Sequence, residues 1–211
     1  MDDFLQTWMM MVAVFTVAVA SPGPDFIMAV RNSMLGSRKA GILTAVGFGL
    51  GVCVHVTYCL AGLALVISQS VILFNIMKLV GALYLFYMGY HALKSKGFGA
   101  DVPENDSKEA QITDWQALRS GFITNLFNPK ATLFFLALFT QILSPDIAVS
   151  QKAILGATCV AITVLWFSLV SIVLTTPRVR TAFLRFSKWI DRVCGVLFVG
   201  LGLKLALTKL S

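Results

Sequence analysis

The sequence predicts an all-α polytopic membrane bundle: one membrane domain over residues 1–211 with six transmembrane spans, laid out as two inverted three-helix repeats whose first and fourth spans are broken. Three observations predict it. Hydrophobic residues make up 57% of the 211 and charged residues 13%, with a mean hydropathy of +0.82. That is more apolar surface than one soluble core of this length buries. Uncharged runs cover Phe4 to Pro24, Ala40 to Met77, Ala131 to Pro145 and Ala153 to Pro177. At a rise of about 1.5 Å per residue such runs are long enough to be cut into helices that cross a hydrocarbon core about 30 Å thick. Helix-breaking prolines recur at corresponding places in the two halves, and runs of this length without strand alternation satisfy their backbone in lipid only as helices.

Span 1 covers about residues 4–30. Its apolar run reaches Ala18-Val19-Ala20, which imitates a signal-peptidase site, but Asp2 and Asp3 give an acidic leader where a signal is basic, so the segment reads as a retained span. Within VAVASPGPDFIMAV, residues 17–30, Pro22 and Pro24 lack a backbone N–H and Gly23 can cap a new helix whose first residue is Pro24. The span is expected to break there and to restart with Asp25 in its first turn.

Span 2 covers about 40–67 and carries Gly41, Gly47, Gly49 and Gly51. Gly47 to Gly51 is a GxxxG spacing that favours close helix packing within one chain and also admits a homodimer. Span 3 covers about 71–93. Residues 94–115, with SKGFGADVPENDSKEA at their centre, mix Gly, Pro and both charge signs and read as a cytoplasmic linker between repeat one (1–93) and repeat two (116–211). Span 4, about 117–139, contains Asn128-Pro129-Lys130, which can be laid on Gly23-Pro24-Asp25. Spans 5 and 6 cover about 153–175 and 189–207. Span 3 and span 6 share a spaced cation, glycine, leucine and aromatic, in Lys78, Gly81, Leu83 and Tyr84 against Arg192, Gly195, Leu197 and Phe198.

Arg31, Arg38, Lys39, Lys94, Lys96, Lys108, Arg119, Arg178, Arg180, Arg185 and Lys188 fall on one side of this arrangement, against Lys152, Lys204 and Lys209 on the other. The positive-inside bias makes the first set cytoplasmic and both termini external. It also accounts for most of the net charge of +7, with anionic lipid headgroups rather than nucleic acid as neighbours. Three spans per half is odd, so the second half enters the membrane inverted. Inverted repeats with interrupted helices at matching positions are the plan of secondary transporters, whose sites form near the midplane.

The candidate site follows from that plan. Asp25 and Lys130 are charges at membrane depth, which calls for a partner or a function. Asp25 suits a ligand's ammonium, while Lys130 and the two half-helix N-termini suit a carboxylate, so the pair meeting across the pseudo-two-fold reads a zwitterion. The competing readings are a structural ion pair, a charge that complements its own helix start, and a lysine that snorkels. Asn125 and Asn128, three apart on one face, line the same cavity or bond between helices. Asp25 and His55 are the residues available for proton coupling, against a hydrogen-bonded structural role for His55. Lys78, Arg192 and His91 read as interfacial anchors. Cys53, Cys59, Cys159 and Cys194 lack CxxC spacing and read as buried small apolar residues, and neither a metal site nor a cofactor motif is found.

SPGPDF, GSRKAGILTAVGFGLGV, YLFYMGYHALK, GFITNLFNPKATLFF and the stretch Lys188 to Asp191 together resemble the LysE/RhtB family of bacterial amino-acid exporters over nearly the whole chain, with the threonine and homoserine or homoserine-lactone branch most similar. The resemblance implies a transporter rather than an enzyme, in the bacterial inner membrane, exporting an amino-acid substrate with drive from the proton gradient. It places the family's proline-glycine motif at Pro22, Gly23 and Pro24 and its fourth-span motif at Asn128, Pro129 and Lys130. No Walker A sequence is present. A divalent-cation exporter of the wider superfamily is the alternative, and it needs clustered carboxylate, His or Cys ligands. A membrane thiol oxidoreductase needs paired reactive cysteines, and a scaffold gives no reason for matched helix breaks.

Overall fold

The computed structural model describes residues 2–69, 71–95, 112–142, 147–173 and 175–207. Among the described residues the chain forms helices and no strand: α1 Asp2–Ala20, α2 Pro24–Leu35, α3 Arg38–Gln69, α4 Val71–Lys94, α5 Asp114–Leu126, α6 Pro129–Ile142, α7 Val149–Val173 and α8 Pro177–Leu207. A bent pair, a long helix and a further helix follow one another twice. The core of the expected linker, 96–111, lies outside the described residues, as does the side chain of Lys78.

By length and composition α3, over Arg38–Ala61, and α7 can each cross a membrane, with mean hydropathies of 1.8 and 2.2. The pairs α1–α2 and α5–α6 qualify when each is taken as one span, bent by 59° and 55°. α4 and α8 occupy the stretches expected for spans 3 and 6. Ile72, Leu79 and Leu83 on α4, Leu165 on α7 and Val196 on α8 are large, exposed apolar side chains. A surface of that kind suits lipid tails, and the protein is a multi-pass helical membrane bundle.

Two close approaches set the packing. A side chain on Gly47 of α3 would meet the Leu118 carbonyl at 2.2 Å, and one on Gly121 of α5 would meet the Thr44 carbonyl at 2.2 Å. Backbone lies against backbone there, so the GxxxG face of α3 is used within the chain. The second seam joins α4 to α8, where a side chain on Gly195 would meet the Gly89 carbonyl at 2.9 Å.

α8 differs from expectation. Its N-terminal third, with Arg178, Arg180, Arg185 and Lys188, was expected as a cytoplasmic loop before a span at 189–207, and it is helical from Pro177 onward. Pro177 suits the first helical position, and no Gly or Pro follows until Gly195. Ser187, Asp191, Cys194, Phe198, Leu201 and Leu205 are all buried. Their alternating four- and three-residue spacing is a continuous helical stripe, and it starts inside the polar stretch. Arg192 lies off the stripe, exposed, with its guanidinium 5.4 Å from the centre of the Trp189 ring. Cys59, Cys159 and Cys194 are buried, whereas Cys53 is exposed on α3, against the expectation of four buried thiols.

An aromatic cluster fills the space beside the two breaks. Phe15 of α1 packs against Phe134 and Phe135 of α6, with ring centres 6.1 and 5.3 Å apart, and Phe134 reaches Phe198 of α8 at 6.1 Å. These rings are at most 3% exposed and wall one side of the site.

Candidate functional site

The first break follows from the missing N–H groups. α1 closes with Ser21 N–H on the Val17 carbonyl, and α2 restarts with Gly23 as N-cap and Pro24 first, the Ile27 N–H returning to the Gly23 carbonyl at 3.0 Å. Gly23 is fully extended there and makes no side-chain cap. The second break is capped by its own side chain: Asn128 Oδ1 accepts the Lys130 backbone N–H at 3.0 Å, and the Asn128 carbonyl accepts the Thr132 N–H at 3.0 Å.

Neighbouring helices aim the polar groups. Two turns beyond Asp25, Asn32 donates to Thr44 Oγ of α3 at 2.9 Å and to Ser120 Oγ of α5 at 2.8 Å, so α2 is pinned with that face toward α5. On α5, Ala117, Gly121 and Asn125 are buried at four-residue spacing. The two small residues let α5 settle on α3, and Asn125 one turn later reaches Asp25. Asn125 Nδ2 donates to Asp25 Oδ2 at 2.7 Å, and Asn128 Nδ2 donates to Asp25 Oδ1 at 3.0 Å. Each carboxylate oxygen holds one amide and keeps further acceptor capacity.

Lys130 does not pair with Asp25. Its ammonium donates to the Ser21 carbonyl at 2.7 Å and, more weakly, to the Pro22 carbonyl at 3.4 Å. Those carbonyls belong to the turn of helix that the break interrupts, and a cation there replaces lost N–H partners. Among the described residues Lys39 with Asp114 is the one ion pair, exposed at the surface. The direct Asp25–Lys130 contact considered from repeat symmetry is therefore absent. Lys130 also does not snorkel outward, because its stem packs 3.3 Å from where a side chain on Gly23 would sit.

Asp25, Asn125, Asn128 and Lys130 nevertheless line one cavity of about 50 Å³, together with Ser21 and Gly23. Phe15, Phe26, Phe134, Phe135 and Phe167 supply its apolar wall. The volume holds a few waters. An anion and a cation that line one hollow without a direct ion pair can hold a molecule that carries both signs. Pro22 and Pro24 line a second cavity instead, while Pro129 is exposed and lines neither.

His55 sits behind this wall. Its Nε2 is 3.1 Å from the Asn125 carbonyl, its Nδ1 2.8 Å from the Tyr58 hydroxyl, and its ring stacks on Phe135 with centres 5.4 Å apart. A carbonyl only accepts, so Nε2 carries hydrogen and, in the neutral ring, Nδ1 accepts from Tyr58. His55 reaches Asp25 through Asn125 and not directly.

The second cavity is larger, about 390 Å³, and opens beside the first, sharing Ser21, Gly23 and Lys130 with it. Tyr84, Tyr87, His91 and Ser95 line it from α4 and the residue after it, and Asp191 lines it from α8. Sequence reasoning did not single out Asp191 as a site residue. The structure places it in the buried stripe of α8, a carboxylate among mostly apolar positions. Among the described residues no three His, Cys, Asp or Glu side chains come together as a metal site.

A profile of the LysE type translocator family matches residues 16–209. The chain is 30% identical over 209 residues to the threonine efflux protein of Escherichia coli (strain K12), covering 97% of this chain and 100% of that one. It is 31% identical over 196 residues to the threonine efflux protein of Salmonella typhi, covering 93% and 95%. It is also 26% identical over 203 residues to the uncharacterized membrane protein YrhP of Bacillus subtilis (strain 168), covering 93% and 97%. No solved structure matches.

Proposed function

Because the chain belongs to the LysE type translocator family and is thereby a transporter rather than an enzyme, we propose that it exports amino acids of the threonine or homoserine kind across the bacterial inner membrane. The observation that carries this reading is the cavity between the two helix breaks. Asp25 is held there by two amides and Lys130 by two carbonyls, and the two charges are not spent on each other. The substrate's ammonium takes Asp25, and its carboxylate takes the Lys130 N–H left over after two carbonyl bonds. The names of the threonine efflux relatives support the substrate class.

Transport proceeds by alternating access, with the two repeats, inverted relative to each other, rocking about the site. The recurrence of a bent pair, a long helix and a further helix supports that plan, and so does the packing of α3 on α7 and of α4 on α8. Proton entry at Asp25 discharges the ammonium's partner and couples release to the proton gradient. The charged ends face the cytoplasm and both termini face outward. A cation in the cavity disfavours a divalent-metal substrate, because Lys130 repels it.

Counterflow in proteoliposomes with labelled threonine, homoserine and lysine, with and without a pH gradient, tests the reading. Accumulation of threonine or homoserine that rises with the gradient is expected. Movement of divalent metal with no amino acid overturns it.

A further inference from the structure

Beyond the site between the breaks, we infer that the larger cavity is a second amino-acid site, an entry site in which Asp191 takes the substrate's ammonium while Lys130 takes its carboxylate. The inference rests on the proposed transport of amino acids and adds a place and a residue to it.

Asp191 is 5% exposed and lines the cavity. Ser95 Oγ donates to Oδ2, and among the described residues no salt bridge is made directly to the carboxylate, Lys130 being the cation that shares the cavity with it. A buried carboxylate with no cation in direct contact inside a membrane protein is costly unless a ligand serves it, and a carboxylate holding a hydroxyl keeps acceptor capacity for an ammonium. The cavity is also the one with room. About 390 Å³ accommodates an amino acid, whereas about 50 Å³ does not without movement. Tyr84 and Tyr87, with ring centres 5.9 Å apart, supply aromatic surface for a side chain.

The position of Lys130 gives the arrangement its consequence. Lys130 belongs to both cavities, whereas Asp25 belongs to the smaller and Asp191 to the larger. A substrate can therefore keep its carboxylate on one ammonium while its own ammonium changes partner from Asp191 to Asp25. The larger cavity is lined by the last turns of α4 and the residue after it, through Tyr87, His91 and Ser95, the end of that helix that the positive-inside bias assigns to the cytoplasm. That is the side from which an exporter loads.

The test compares the full-length wild type, Asp191→Asn and Asp191→Glu in right-side-out and inside-out membrane vesicles, with labelled L-threonine and L-homoserine as probes. Asp191→Asn is expected to raise KM about tenfold for substrate offered from the cavity's side, the cost of one charge-assisted hydrogen bond, and to leave KM from the opposite side within about twofold. Asp191→Glu is expected to restore most of the affinity. Equal changes from both sides, or none from either, overturn the entry site, because a merely structural carboxylate has no sidedness. If Asp191→Asn does not assemble, Asp191→Ala takes its place: its KM must rise on the cavity's side alone, and equal changes from both sides, or none from either, overturn the site. A wild type that moves neither amino acid overturns the transport reading itself, an outcome distinct from a wild type that transports with no sided effect.

Discussion

Asn125 gives its amide hydrogen to the Asp25 carboxylate at 2.7 Å, so a residue from the second half of the chain orients the carboxylate at the break in the first. The same side chain leaves Oδ1 without a partner and seats it where a methyl group on Gly51 would lie 2.5 Å away. Asp25, Asn125 and Gly51 thus form one stack from cavity to helix seam.

Replacing Asp25 by Asn puts a third amide opposite two amides and removes the negative charge. Affinity for a zwitterionic substrate is expected to fall by about ten- to a hundredfold, the range for a charge-assisted hydrogen bond lost in a buried site. Equilibrium binding of labelled threonine to the purified variant measures it. Unchanged affinity removes Asp25 from the site.

Gly51→Ala is expected to depress transport without touching substrate, because the new methyl group also meets Asn125 Cβ at 2.9 Å and must turn the amide away from Asp25. Gly47→Ala meets backbone at 2.2 and 2.7 Å instead, and backbone on both helices cannot yield. It is expected to cost about 1–3 kcal/mol of stability, read as a lower melting temperature in detergent. A Gly47→Ala variant that melts like wild type contradicts the packing described for α3 and α5.

His55→Gln is expected to lower stability by about 1–3 kcal/mol, because the Tyr58 hydroxyl and the Asn125 carbonyl lose a ring that satisfies both. The shape of the pH dependence of transport should stay the same, since the ring lies outside the cavity. A displaced profile at intact stability would assign His55 to proton transfer.

Much of this arrangement is legible in the residues themselves, and the reasons for the remainder are physical. Pro22 and Pro24 remove N–H groups wherever they stand, and Asn128 before Pro129 is a cap followed by a natural first residue. Both breaks therefore follow from local chemistry. The partners of Asp25 do not. They depend on the register of α5 against α3, which is set by the missing side chains of Gly47 and Gly121, and composition does not contain that register. Lys130 is similar: repeat symmetry puts it opposite Asp25, yet the carbonyls of Ser21 and Pro22 are nearer and compete for the ammonium. Asp191 is hidden in the sequence because basic residues around it mask a stripe that becomes evident only when α8 runs unbroken from Pro177.

The central claim is that the substrate's two charges are read separately, its ammonium by a carboxylate and its carboxylate by Lys130. Competition against labelled homoserine in counterflow by the wild-type protein tests this most directly, using homoserine, its lactone and its N-acetyl derivative. The account predicts that homoserine competes and that closing the carboxylate into a lactone or capping the amine weakens competition by about tenfold or more in each case. A lactone or an N-acetyl derivative that competes as well as homoserine would contradict it.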